Sequence, residues 1–208
     1  MLILSFGGKL MAPEQTNTKR RRARNARPKI ERAALKLFVG EGIDGATTRD
    51  IAEHAGVSEG ALYRHYKGKD QLALSLFMET HNRLGQMVLE AAQTEGNLET
   101  KVRAIVTAYC NLADEDWLLF SFHLVSLHRY LPHDTKRADD PTTITENIIK
   151  GLMAAGDIPE GDPALLAAMS LGIVLQAGQN KAYNRLPGPF SAHIDAFTRA
   201  IIAVLKQK

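Results

Sequence analysis

The residues from Ser58 to Lys69 carry side chains suited to reading a nucleic acid. Tyr63 offers an apolar ring for a thymine methyl and a hydroxyl for a phosphate. Lys67 and Lys69 are charge donors to phosphate. Gly60 and Ala61 are small enough to let a backbone approach closely. Glu59 either accepts from a cytosine amino group or simply faces solvent, and solvent is the favoured reading. Other chemistry is poorly served. The sequence has no nucleophile with a base in plausible order, no glycine-rich phosphate loop and no metal-ligand spacing. His123, His128 and His133 recur every five residues, which matches neither i+3 nor i+4, and no Cys or Glu-x-x-His pattern accompanies them. No enzyme activity, metal or cofactor is therefore expected.

Two short helices and a tight turn are expected to position these residues, from Thr47 to Tyr66. Thr47 is a natural N-cap, and Asp50 three residues on completes a capping box. Ile51, Ala52 and Ala55 supply the inward face of the first helix, and Gly56 ends it in the left-handed conformation. Val57 plugs the angle between the helices. Ser58 caps the second helix and Leu62 points inward. Glu59, Gly60, Tyr63, Arg64 and Lys67 are left facing outward, as in the N-terminal part of a helix that enters a major groove. The alternative is an αα-hairpin used only for packing. Caps, turn glycine and inward apolar set agree with one another and weigh against it.

Before this hairpin, Ile30, Ala33, Ala34, Leu37 and Phe38 recur on one helical face, with Pro28 in the first turn and Gly40 and Gly42 ending the helix. After it, Lys69 to about Thr94 reads as one long helix. Further helices follow near 97–112, 114–131, 142–155, 162–184 and 189–206, and no strand is expected.

The segments Thr47-Thr48-Arg49-Asp50-Ile51-Ala52, Ala55-Gly56-Val57-Ser58, Gly60-Ala61-Leu62-Tyr63 and His65-Tyr66, with Lys69 and Leu72, resemble the TetR family of bacterial transcriptional regulators. Ala34-Leu35-Lys36-Leu37-Phe38 fits the same pattern. The resemblance covers roughly residues 27–75; Gly68 stands where Ser or Asn is commoner. It implies an all-α chain with an N-terminal three-helix helix-turn-helix domain and a C-terminal helical ligand-binding and dimerisation domain. It also implies a homodimer on a near-palindromic double-stranded DNA operator, with contacts by Thr48, Arg49, Ser58, Glu59, Gly60, Ala61, Tyr63, His65 and Lys69. A small-molecule effector in the C-terminal domain would shift the spacing of the two heads.

Charge supports the division. Of the 208 residues, the first 72 carry 14 Lys and Arg against 8 Asp and Glu, whereas the rest carry 12 against 15. Residues 1–26 form an expected basic arm, 27–72 the DNA-binding domain and 73–208 the helical remainder. The run Lys19 to Arg27 is either a solvated tail or an arm on phosphates, and the neighbouring hairpin favours the arm. Cys110, the only cysteine, fits a cytoplasmic setting, and Leu2-Ile3-Leu4 is too short and lacks the basic flank of a secretion leader. Met11 is a second candidate start. Within the remainder, Trp117, Phe120, His123, Gln176 and Asn180 are candidate pocket residues. Ala168, Leu171, Leu175, Phe197, Ile201 and Leu205 are candidates for a four-helix dimer interface. Two rivals remain: a DNA binder that works without ligand, and a helical enzyme with a hairpin of similar pattern.

Overall fold

The computed structural model describes residues 26–131 and 140–207. The arm expected over 1–26 lies almost wholly outside the described residues, as does His133. Nine α-helices follow one another: α1 (Ala26–Gly45), α2 (Thr48–Ala55), α3 (Glu59–Tyr63), α4 (Lys69–Ala92), α5 (Leu98–Glu115), α6 (Trp117–Tyr130), α7 (Pro141–Ala154), α8 (Pro163–Ala182) and α9 (Ile194–Leu205). No strand occurs among the described residues. The expected end of the first helix at Gly40 and Gly42 is instead a kink. Gly42 has φ 79° and the chain resumes a helical path to Gly45. The last helix is preceded by a 3-10 turn, Phe190–His193, whose amides at Phe190 and Ser191 donate to the carboxylate of Asp114.

Side-chain caps fix most helix starts. Asn97, Asp116, Asp140 and Asp162 each accept a backbone N–H of the following turn, satisfying donors that a helix leaves unpaired.

The apolar side chains collect into two cores. The first holds Ile30, Ala34, Phe38, Ile51 and Leu62 of α1–α3. The second holds Val106, Phe120, Val174, Phe190 and Phe197 from α5 onward. Two helices serve both. α4 gives Leu72, Leu76 and Phe77 to the first core and Leu84 to the second, against which Met87 also packs. α6 gives Phe122 to the first, against Phe38 with ring centroids 5.7 Å apart, and Phe120 and Leu124 to the second. At about 1.5 Å per residue, α4 is a rod some 36 Å long, joining the two ends of the molecule.

Candidate nucleic-acid interface

The hairpin is held by local bonds. Thr47 Oγ1 accepts from the Asp50 amide at 3.1 Å, and Asp50 Oδ2 accepts from the Thr47 amide at 3.0 Å. Thr47 Oγ1 also donates to Asp50 Oδ2 at 2.6 Å, and this bond, then the one from the Thr47 amide, hold the Asp50 carboxyl below its usual range. Gly56 sits at φ 63°, ψ 38°, a left-handed conformation that ends α2 without the steric cost a Cβ would add. Ser58 Oγ accepts from the Ala61 amide at 3.3 Å and starts α3. Leu62 is fully buried beneath it.

A second set of bonds pins the hairpin to α1. Tyr66 Oη donates to Glu31 Oε1 at 2.5 Å, and Arg27 Nε donates to both Glu31 and Tyr66. Burial, then the Glu31 carboxylate, push the Tyr66 phenol up to about 12. This anchor was not expected from the sequence, because Arg27 and Glu31 meet Tyr66 only after the chain turns back.

Arg49, Ser58, Glu59, Gly60, Tyr63, Arg64 and Lys67 lie exposed, and Thr48 and His65 are half-buried. Tyr63 is 53% exposed, unusual for so large a ring. Thr48 Oγ1 donates to Glu59 Oε1 at 2.9 Å and lies 3.3 Å from Tyr63 Oη. Glu59 thus has a partner within the chain, which its reading as a solvent-facing group did not foresee. Two expectations need correction. Ala61 is 6% exposed, so it packs α3 onto the core and is not part of the open face. Lys69 Nζ donates to the carbonyls of Asp44 at 3.1 Å and Ala46 at 2.9 Å, so it ties down the end of α1.

The candidate pocket residues are displaced more thoroughly. A cavity of about 330 Å³ opens among α4, α5, α7, α8 and α9, and none of Trp117, Phe120, His123, Gln176 or Asn180 lines it. Trp117 packs on Phe120 and Phe190 with Lys181 over its ring. Phe120 is core, edge-on to Tyr109. Gln176 is exposed, and Asn180 donates to its carbonyl. His123 is buried at the junction of the two cores, stacked on Phe77 with Nε2 3.2 Å from His81 Nδ1. His81 Nε2 reaches Asp140 Oδ1 at 3.1 Å. The walls of the cavity are instead aliphatic: Val88 and Ala92 of α4, Val102 and Ile105 of α5, Ile148 of α7 and Val174 of α8. Tyr109 and Ser170 also line it.

The expected dimer residues divide as well. Phe197 and Leu205 are buried in the chain's own core, and Leu171, Ile201 and Leu205 line the cavity. Leu175 packs against the core, which leaves Ala168 on the outer face. That face of α8 exposes Leu165 at 55% and Met169 at 36%, with Gly172 and Gln176 following.

A capped pair of short helices with an exposed tyrosine and basic rim defines a DNA-binding helix-turn-helix protein. The family model described as bacterial regulatory proteins, tetR family, matches residues 30–76. An uncharacterized HTH-type transcriptional regulator of Bacillus subtilis, YvkB, is 28% identical over 145 residues, which are 68% of this chain and 75% of that one. A TetR family transcription regulator from Marinobacter aquaeolei superposes with a TM-score of 0.73 at 18% identity, covering 91% of this chain and 100% of that one. The transcriptional regulator FadR from Bacillus subtilis, solved in complex with stearoyl-CoA, gives a TM-score of 0.66 at 18% identity, covering 86% and 98%. At such identity the two structures show a shared fold. Residues 30–76 are a TetR-type head, and the chain is a DNA-binding transcriptional regulator of TetR type. Among the described residues, no helix is long and apolar enough to cross a membrane.

Proposed function

We propose that the chain is a cytoplasmic, homodimeric repressor that reads a near-palindromic operator and leaves it when a small molecule enters the cavity. The observation that carries this reading is the path of α4. It starts at Lys69, six residues after α3, and its far end supplies Val88 and Ala92 to the cavity wall. A molecule that displaces that end moves a rod whose other end is packed into the head. A ligand changes DNA affinity only through its different affinity for the two arrangements.

In this reading Thr48, Arg49, Ser58, Glu59, Gly60, Tyr63, Arg64, His65 and Lys67 form the reading surface of a head spanning 27–72, preceded by the arm of 1–26. The outer face of α8, with Leu165, Ala168 and Met169, is the association surface. An apolar face of this kind is expected to be covered by a symmetry mate. A DNA binder indifferent to ligand has no use for an apolar cavity at the end of α4. Genome-wide mapping of bound DNA, followed by footprinting at fixed salt, tests the proposal. Two protected half-sites about one helical turn apart are expected. Tyr63→Ala should weaken binding by ~1–3 kcal/mol while the dimer persists. A monomer on a single half-site would overturn the reading.

A further inference from the structure

The cavity wall is mostly aliphatic, with Thr145, whose hydroxyl donates to the Pro141 carbonyl, and two buried polar side chains that have no partner among the described residues. Tyr109 Oη is buried and has no hydrogen-bond partner among the described residues. The same holds for Ser170 Oγ. Tyr130 Oη, which does not line the cavity, is also buried without a hydrogen-bond partner among the described residues, whereas buried helical threonines pair locally. Thr80 and Thr198 both donate back to the carbonyl four residues before them, at 3.2 and 2.8 Å. Ser170 sits in a helix with such a carbonyl within reach and is left without that bond. An unpaired buried hydroxyl costs ~1–3 kcal/mol, so two on one cavity wall are unlike ordinary packing. Tyr109 is held in place by Phe120, with ring centroids 5.2 Å apart, and by Phe190 at 6.1 Å. Burial raises its phenol far above the ordinary value, so it stays a neutral donor.

The charged lining residues are Lys101 and Asp157, half-buried and exposed. Lys101 lies eight residues before Tyr109 on α5, about 12 Å along the helix axis. No cation therefore lines the cavity beside Tyr109. An ionised group buried there would lack a counter-charge, which is prohibitively costly. The volume lies at the small end of the range of ligand pockets, roughly 300–1,000 Å³.

Building on the reading of this cavity as an effector site, we propose that it takes a small, uncharged, mostly apolar molecule bearing a carbonyl oxygen, which accepts hydrogen bonds from Tyr109 and Ser170. Tyr109 donates through its phenol and Ser170 through its hydroxyl, and the aliphatic walls hold the rest of the ligand.

The test uses the full chain and three probes of similar size: benzylacetone, butylbenzene and phenylbutyrate. Calorimetric titration should find benzylacetone bound about tenfold more tightly than either of the others. Tyr109→Phe and Ser170→Ala should each lower benzylacetone affinity and leave butylbenzene affinity unchanged. Tyr109→Phe should also melt no lower than the parent, since it removes an unpaired buried hydroxyl, so a failure to fold does not confuse the result. Three outcomes overturn the proposal. One is phenylbutyrate binding most tightly with its advantage lost in Lys101→Gln, which means an anion held at the mouth. Another is equal binding of all three probes to parent and Tyr109→Phe. The last is binding of none. Failure of the broader functional reading looks different: benzylacetone binds as expected, but DNA affinity does not change.

Discussion

The head and the half proposed to hold the effector treat their polar side chains in opposite ways. In the head, Thr47, Ser58 and Tyr66 each direct a side-chain oxygen to a partner that fixes a helix start or pins α3 to α1. In the effector half, Tyr109 and Ser170 keep theirs unmatched on a cavity wall, and at the join between the two cores His123 Nδ1 and Tyr130 Oη are also buried without a hydrogen-bond partner among the described residues. The difference separates a finished part from one that awaits completion. A reading surface must hold its geometry before it meets DNA. In the proposed reading, a sensing site keeps groups in reserve and accepts the stability they cost.

The comparison breaks most severely at the join. Phe122→Ala should cost ~3–5 kcal/mol, because the ring is fully buried and is how α6 reaches the head core. A thermal melt should show one lowered transition; a small loss would mean that head and effector half are joined through α4 alone.

Acid should find the effector half first. Burial, then the neighbouring His81, depress the His123 imidazole from 6.5 down to about 3. Its unfolded form binds the proton more readily, so stability is full above about pH 6.5 and falls as pH drops toward 3. Between pH 7 and pH 5 the loss from this group is ~2 kcal/mol. Asp140 behaves otherwise. Burial raises its carboxyl, but the hydrogen bonds from His81 and Thr143 prevail and the net shift is downward. Its contribution is lost only at lower pH, outside this window. His123→Gln should therefore flatten the dependence of melting temperature on pH between 7 and 5. A slope identical to the parent's would show that the imidazole is not the group responsible.

The smallest effect is the most direct test of the contrast. Thr47→Ala removes one hydroxyl from the head and should cost ~1 kcal/mol, through loss of the capping box. Denaturant unfolding measures it. Removing the Tyr109 hydroxyl from the effector half should cost nothing. Equal losses from the two substitutions would erase the distinction.

Much of the head was readable in advance. Thr47, Asp50, Gly56, Ser58 and Leu62 occupy the roles their spacing assigns, since a cap and a turn are relations between residues three or four apart. The exceptions are instructive. Ala61 was expected to let the backbone approach DNA closely because it is small, and its side chain is buried because α3 lies flat on the core. Lys69 was expected at phosphate and is held by carbonyls at the end of α1. In the effector half the apolar stripes were sound as helix predictions, yet they did not separate core from cavity. Trp117 and Phe120 drew attention as aromatics, and both went to packing.

The sequence by itself therefore determined the order of the helices among the described residues in outline, the helix-turn-helix and its TetR-type pattern, because periodicity, caps and turns act over a few residues. Only the tertiary structure decided where the cavity lies, which hydroxyls face it and which side of α8 stays open. Those are matters of how five helices, distant along the chain, converge, and no local spacing encodes that convergence.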